Sequence, residues 1–484
     1  MKVLVANRGE IACRVLRTLR EQGIASVAIY SDVDANTPHV WLADGAVALG
    51  EPRSYLDIEA VLGAAEQTGA TAIHPGYGFL AENPLFAEAC AKAGVVFIGP
   101  SSEAMRAFAD KRAARELAVK HDVPVIPGAE QCDSPEQARD IAESIGYPVL
   151  LKAAAGGGGK GMRKVESADE IDTAFESASR EATASFSDGR LLLEKYIYPA
   201  RHIEVQILGD GKRAIALGER ECSLQRRYQK VLEEAPSVSI SDETRTGLFE
   251  SATRLVEVAG YSGAGTVEFL VGPDGSHYFL EVNTRLQVEH PVTEMVTGLD
   301  LVACQIEIAH GGDLPEVPTP RGHALEARLN AEDAYNGYLP QSGPILMLDW
   351  PQWPGVRVDS GITEGGEVSA HYDSMIAKVI VWGADREAAR KKLMAALRST
   401  TLLGITTNQS FLIDVLERPF FAEAKTFTTT LEESSWSSPE VPEHVQTLGE
   451  AMAAGTGRST SQDGAGKVDK FSPWEELGGF RMGR

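Results

Sequence analysis

Six polar residues between Thr266 and Glu294 have the types and spacing to share one chemical task. In T-V-E-F-L-V-G-P-D-G-S-H-Y-F-L-E-V-N-T-R-L-Q-V-E-H-P-V-T-E, two apolar runs, Thr266–Val271 and His277–Val282, flank Pro273-Asp274-Gly275-Ser276. Pro, Asp, Gly and Ser in succession are turn residues, so the segment predicts a β-hairpin. With those four residues as the loop, Glu268 stands opposite Glu281. Side chains alternate faces, so Asn283 joins them, and Arg285, Gln287 and Glu289 continue at every second position. Like charges directly opposed destabilise a sheet. A hard cation removes that penalty, and Mg²⁺ takes oxygen ligands while leaving room for substrate phosphates. The competing expectation is a solvated polar face on an edge hairpin, which would suffice for an isolated E-x-N. Six polar groups of one parity favour a site. A five-residue loop would slip the register and scatter the set.

Other stretches have the means to hold an anion. The strand-like Val149–Lys152 runs into A-A-A-G-G-G-G-K-G-M, where four consecutive glycines, Gly156 to Gly159, stand beside Lys160. Unblocked backbone N–H groups next to an ammonium suit phosphate oxygens. The spacing is not G-x-x-x-x-G-K-[ST], so this is no P-loop. It fits a glycine-rich lid that closes over phosphates. The alternative is a flexible linker, but linkers are seldom framed by a strand lysine such as Lys152. Lys111, in A-D-K-R-A-A-R, precedes a helical stretch and alone would be a surface lysine. Leu191–Leu193 leads into Glu194-Lys195-Tyr196-Ile197, a strand end able to offer backbone groups to an adenine edge, or simply a strand end with solvated charges. His202, Glu204 and Gln206 alternate with apolar residues, which usually means a wet sheet face. E-C-S-L-Q-R-R-Y-Q-K, residues 221–230, concentrates basic groups and suits an anionic ligand.

These groups need a frame. In the first hundred residues, strand-like and helix-like runs alternate: Lys2–Ala6, Arg8–Gln22, Ser26–Tyr30, Ala46–Leu49, Ile58–Gln67, Ala70–Ile73, Pro84–Ala93 and Val95–Ile98. Such alternation predicts an α/β parallel sheet covered on both faces. Its first turn, A-N-R-G-E, lacks G-x-G-x-x-G, so no NAD site is expected. The loop Ile73-His74-Pro75-Gly76-Tyr77-Gly78-Phe79-Leu80 sits where open α/β sheets bind ligands, and it serves equally well as a rigid structural turn.

Composition narrows the classes. The chain has 484 residues, 43% hydrophobic and 24% charged, with a net charge of −23. That is globular composition with length for about two to four domains. The acidity argues against general nucleic-acid or membrane-surface binding, and the basic stretch lacks aromatic interleaving. Five cysteines, with no C-x-x-C pair, suit free thiols in a reducing compartment. M-K-V-L-V-A-N-R-G-E is no signal peptide and no apolar run reaches spanning length, so a cytoplasmic protein is expected.

Five motifs occur in order: H-P-G-Y-G-F-L-A-E-N, G-G-G-G-K-G-M, E-C-S-L-Q-R-R-Y-Q-K, E-V-N-T-R-L-Q-V-E-H-P-V-T-E and E-A-R-L-N-A-E-D. From about Met1 to Thr430 the chain strongly resembles the biotin carboxylase component of biotin-dependent acyl-CoA carboxylases (acetyl-CoA/propionyl-CoA type), an ATP-grasp ligase. The resemblance implies that ATP, bicarbonate and carrier-bound biotin give ADP, phosphate and N-carboxybiotin. It also implies roles. Lys111 and Lys152 would bind ATP phosphates under a lid carrying Gly158 and Gly159. Glu194, Lys195 and Ile197 would flank the adenine, and His202 with Gln225 the ribose. Glu268, Glu281 and Asn283 would hold Mg²⁺ or Mn²⁺, in agreement with the hairpin count. Lys230, Arg285, Gln287 and Val288 would bind bicarbonate, Glu289 would deprotonate it, and Arg328 would stabilise carboxyphosphate and the biotin enolate. Two departures stand out. Tyr228 occupies a position where the bacterial pattern has His and cannot be a cation at neutral pH, and Lys160 replaces an arginine found in some members.

The resemblance further implies a Rossmann-like N-terminal domain over 1–110, an ATP-grasp domain over 111–315 with a lid near 130–205, and a β-rich C-terminal domain over 316–430. In A-H-Y-D-S-M-I-A-K, residues 370–378, the Tyr-Asp-Ser is expected to be structural. Residues 431–470 have linker composition, rich in Ser, Gly and Ala, and 471–484 resemble the opening of a following domain. No A-M-K-M-like biotinylation sequence is found, so the biotin is expected on a carrier domain or protein, with a carboxyltransferase subunit and a homodimer as further partners. The rivals are another ATP-grasp carboxylate–amine ligase, which has no reason to keep R-L-Q-V-E-H, and a non-catalytic nucleotide-binding subunit.

Overall fold

Short apolar strands separated by amphipathic helices stack into a parallel sheet at the N-terminus, as the alternation predicts. In the computed structural model, which describes residues 1–153, 162–186, 189–227 and 229–440 with 443, 446 and 447, these strands are β1 (Lys2–Val5), β2 (Ala25–Ser31), β3 (Gly45–Gly50), β4 (Ala72–His74) and β5 (Val96–Phe97). They pair in the order β3-β2-β1-β4-β5, all parallel. Helix α1 (Gly9–Glu21) buries Ile11, Val15, Leu16 and Leu19 at helical spacing.

Two further sheets carry the candidate site residues. In the smaller, β6 (Gly128–Cys132), β7 (Val149–Ala153), β8 (Met162–Val165) and β9 (Leu191–Lys195) pair antiparallel in the order β6-β9-β7-β8. Alternate residues Val149, Leu151, Leu191 and Leu193 pack on Phe175 and Ala178 of the helix Ile171–Phe186. The glycine loop with Gly158, Gly159 and Lys160 lies outside the described residues, as do Tyr228 and residues 448–484. Residues Met1–Trp436 form one body.

The larger sheet has eight strands. They are β10 (Arg201–Asp210), β11 (Ala214–Arg226), β12 (Gln229–Ala235), β13 (Ser262–Val271), β14 (His277–Asn283), β15 (His323–Asn330) and the segments Val356–Ser360 and Met375–Gly383. β10 is its spine, flanked by β11 and β13. Its residues Ile203, Val205 and Ile207 join Leu248, Leu255 and Phe269 in an apolar core. Its polar residues are buried as well, which the expected wet face did not foresee.

The predicted hairpin exists, but its turn differs. The loop has five residues, Gly272–Ser276, because Val271 pairs with His277, and Gly272 N donates to Ser276 O at 2.8 Å. That should have scattered the site. A bulge intervenes: Phe269 pairs with Phe279 and Glu268 with Glu281, leaving Leu280 as the extra residue. The bulge returns Glu268, Glu281 and Asn283 to one face.

Gly209 on β10 is required by close approach. A Cβ there would lie 2.3 Å from the carbonyl oxygen of Tyr261, which already accepts from Gly211 N at 2.9 Å. Gly209→Ala should therefore lower the thermal midpoint by at least about 2 °C. An unchanged melting curve would show that the backbone yields freely.

Candidate active site

The register of the larger sheet places three carboxylates in a row. Glu204 on β10 pairs with Glu268 on β13, and Glu268 with Glu281 on β14. On the other side Glu204 pairs with Arg220 of β11. Glu204 and Arg220 are both 0% exposed. Arg220 binds Glu204 and donates to Gln206 Oε1 at 2.6 Å, Thr293 Oγ1 at 2.9 Å and Thr266 Oγ1 at 3.0 Å. Lys230 reaches back from β12 into the row. Its Nζ pairs with Glu204 and lies 2.9 Å from Glu268 Oε1 and 2.6 Å from Glu289 Oε1. A buried charge needs such partners to exist at all.

Beyond Asn283 the strand ends and residues 284–289 are irregular. Side-chain hydrogen bonds, not strand parity, gather the rest. Glu268 Oε1 accepts from Asn283 Nδ2 at 2.9 Å and Gln287 Nε2 at 3.1 Å, and its Oε2 lies 3.0 Å from His202 Nε2. Arg285 donates to Asn283 Oδ1 at 3.0 Å and Gln287 Oε1 at 3.1 Å. Arg328 donates from Nε to Glu233 Oε1 and from Nη2 to Glu289 Oε2, at 2.5 and 3.0 Å. The Val288 carbonyl accepts from Lys378 Nζ at 2.9 Å. Gln225 Nε2 lies 2.7 Å from His202 Nδ1. Lys111, at the first turn of the helix Lys111–Lys120, is 2.9 Å from Glu281 Oε2.

The remaining predicted residues belong to the smaller sheet and are not drawn into this cluster. Lys152 pairs with Glu194 across β7 and β9. The Lys195 ammonium donates to the carbonyls of Gly146 and Tyr147, both at 2.9 Å. Ile197 is half-buried just past β9.

Four residues escaped the sequence reading. Glu82 accepts from Arg285 Nε at 2.8 Å and Thr284 N at 3.0 Å. It sits at the end of H-P-G-Y-G-F-L-A-E-N, a motif already marked out. The histidine of that motif serves the turn: His74 is buried, and its Nδ1 accepts from Gly76 N at 3.0 Å. Glu204 was visible in an alternating stripe but was assigned to solvent. Arg220 and Glu233 gave no signal, because each is one charge in a mixed run.

A cleft of about 490 Å³ opens beside this cluster, lined by Arg8, Tyr77, Phe79, Lys230, Val288, Arg328 and Tyr372 among others. Arg8 forks onto Asp34 at 2.8 and 2.7 Å and lies 3.9 Å over the Tyr372 ring.

Environment separates the carboxyls into two kinds. Burial pushes Glu268 and Glu289 upward, but for Glu268 the Lys230 ammonium and His202, and for Glu289 Lys230, Arg328 and Arg220, win and hold both below the ordinary carboxylate range. Glu289 is therefore an ionised base with no exposure. Burial instead wins at Glu233, pushed up to about 7 against the pull of Arg328. Glu326 pairs with Glu233 across β12 and β15, has no hydrogen-bond partner on either oxygen, and is raised well above its usual value by burial despite Lys378. Glu268, Glu281 and Asn283 present oxygen donors on adjacent strands, the chemistry a hard divalent cation selects.

A small antiparallel sheet and a larger one bearing this carboxylate row define an ATP-grasp protein. Three family models match: Biotin carboxylase, N-terminal domain, over residues 1–105; Carbamoyl-phosphate synthase L chain, ATP binding domain, over 110–317; and Biotin carboxylase C-terminal domain, over 326–433. The chain is 47% identical to the biotin carboxylase of Nostoc sp. over 440 residues, covering 89% of this chain and 98% of that one. It is 44% identical to the mitochondrial methylcrotonoyl-CoA carboxylase subunit alpha of Dictyostelium discoideum, covering 99% and 70%. Among solved structures, the biotin carboxylase domain dimer of Hydrogenobacter thermophilus 2-oxoglutarate carboxylase, in complex with MgADP, ADP and bicarbonate, aligns with a TM-score of 0.82 at 44% identity, covering 90% and 99%. The chain belongs to the biotin carboxylase family. It spans 61% and 59% of the corresponding mouse and rat methylcrotonoyl-CoA carboxylase subunits. Among the described residues no helix is long and apolar enough to cross a membrane.

The raised carboxyls carry a pH signature. A carboxyl whose folded value lies above its unfolded value of about 4.3 contributes stability that is present below that pH and is lost as pH rises toward the folded value. Glu326→Gln removes the loss. It should raise the thermal midpoint at about pH 8 and change it little at about pH 5. An equal or opposite shift at the two pH values would show that Glu326 is ionised and paired.

Proposed function

We propose that the chain is the biotin carboxylase of a biotin-dependent carboxylase, transferring the carboxyl group of bicarbonate to carrier-bound biotin at the expense of ATP. The observation that carries this reading is the bracket around Glu289: one fully buried carboxylate, held on one oxygen by Lys230 and on the other by Arg328, two cations that themselves line the cleft. An incoming bicarbonate competes for both cations. As they turn to the substrate, Glu289 loses the charges that depress it and becomes a stronger base. Arg285, braced by Glu82, Asn283 and Gln287, completes the oxyanion's surroundings with Gln287 and Val288, and its planar fork suits that geometry better than lysine would.

Glu289 takes the proton of bicarbonate, whose oxygen attacks the γ-phosphoryl group. ADP leaves and carboxyphosphate forms; it breaks down to carbon dioxide and phosphate, the phosphate takes the proton of the biotin N–H, and the nitrogen attacks the carbon dioxide to give N-carboxybiotin. Lys111 and Lys152 bind the phosphates, Gly158 and Gly159 cover them, Glu194, Lys195 and Ile197 flank the adenine, and His202 with Gln225 meets the ribose. Glu268, Glu281 and Asn283 would hold Mg²⁺ or Mn²⁺, which would offset the negative charge of the transferring phosphoryl group. Arg328 then stabilises the enolate of biotin. The biotin comes on a carrier domain or protein, a carboxyltransferase subunit takes the carboxyl group onward, and the chain pairs with a second copy. Residues 1–110, 111–315 and 316–430 serve as the three domains of this module.

The test is ADP release by the purified chain with ATP, Mg²⁺ and free biotin, with and without bicarbonate. Release should depend on bicarbonate, rise with biotin and stop with EDTA. Glu289→Gln should lower kcat at least about 100-fold. Tight ATP binding without bicarbonate-dependent release would support the non-catalytic nucleotide-binding alternative.

A further inference from the structure

Lys378 closes the motif A-H-Y-D-S-M-I-A-K and is 0% exposed, yet the reaction above gives it no task. Burying an ammonium is costly unless it is paired and hydrogen-bonded. Its Nζ donates to the Val288 carbonyl at 2.9 Å, with Glu10 Oε2 at 3.3 Å and Asp359 Oδ2 at 3.9 Å. Glu10 belongs to α1 and Asp359 to the strand Val356–Ser360, so these two carboxylates and the Val288 carbonyl, from three distant parts of the chain, converge on one ammonium.

A peptide unit is planar and trans, so its C=O and N–H point in opposite directions. Drawing the Val288 carbonyl onto Lys378 turns the Glu289 N–H the other way. His290 acts on the preceding peptide, with Nδ1 2.7 Å from the Gln287 carbonyl, and so turns the Val288 N–H outward. Val288 lines the cleft together with Lys230 and Arg328, immediately ahead of the helix His290–Thr297. Backbone N–H groups at a helix start are suited to an anion.

We propose that Lys378 is a positioning residue for the bicarbonate subsite, fixing the tilt of the Val288 carbonyl so that the backbone N–H of Glu289 meets the anion beside the Val288 N–H that His290 orients. The inference rests on the carboxylation reading. Lys378→Met alone leaves Glu10 and Asp359 short of a cation, so the informative variant is Glu10→Gln/Lys378→Met. It should raise the KM for bicarbonate about tenfold while the KM for ATP stays within about twofold. Line broadening of ¹³C-bicarbonate should report the same weakening of binding without turnover. Unchanged bicarbonate KM and binding overturn the proposal, as does a loss shared equally with ATP, which marks a merely structural role. If the double variant does not fold, the wild-type chain labelled with ¹³C-carbonyl valine and ¹⁵N-glutamate decides. The amide signal of the Val288–Glu289 peptide, assigned through Val288→Ile, should move as bicarbonate is added, and a still signal overturns the proposal. Bicarbonate binding without ADP release would sink the carboxylation reading and leave Lys378 to the binding comparison. No bicarbonate binding by the wild type overturns both.

Discussion

One ammonium group holds the centre of this structure together. Glu204, Glu268 and Glu289 all aim at Lys230 Nζ. Two of them face each other across adjacent strands, an arrangement that repels without a cation between them. Arg220 behind and Lys230 in front make the carboxylate row compatible with a closed sheet. The same compensation keeps Glu289 ionised in a place without solvent. Stability and basicity are thus two effects of one charge arrangement, and any anion that enters the cleft has to renegotiate it.

Buried charge extends well past that centre. Arg14 of α1 bonds Glu294 at 2.7 Å, and Glu294 also accepts from Arg357 at 2.7 Å. Arg357 in turn forks onto Asp359, which is 0% exposed. A chain of ion pairs thus crosses from the N-terminal helix α1 to the C-terminal strands. Such pairs are directional, so they set orientation more strictly than apolar packing does, and the cleft between these parts depends on that orientation.

Much of this was legible in the sequence. The strand–helix alternation of the first hundred residues located the eight elements it named to within a residue or two, because parallel strands buried on both faces are short, apolar and bounded by turns, but it passed over the short helix Pro38–Leu42. The carboxylate row was half visible: period-two spacing puts Glu281 and Asn283 on one face, but Glu268 stands opposite Glu281 through the Leu280 bulge and not through the four-residue turn that the sequence suggests. Glu204 and Arg220 did not follow, because whether a polar stripe is wet or covered depends on what packs on it from elsewhere in the chain. Arg285, Gln287 and Glu289 were placed correctly for an incomplete reason. Their spacing matched a strand that in fact stops at Asn283, and side-chain hydrogen bonds to Glu268, Asn283 and Lys230 do the gathering. Gly158, Gly159, Lys160 and Tyr228 lie outside the described residues.

The hairpin joining β13 and β14 contains two offsets that cancel. The loop is one residue longer than the pairing of Glu268 with Glu281 requires, and the unpaired Leu280 takes up the difference. Each behaves like a suppressor of the other, much as a second frameshift restores the phase of a message. Straightening the bulge while the turn keeps five residues would pair Glu268 with Leu280 and carry Glu281 and Asn283 to the opposite side of the sheet, while leaving every residue of the motif intact. Turn and bulge are therefore coupled: with the same number of residues between the two glutamates, a four-residue turn leaves no residue over and the bulge disappears.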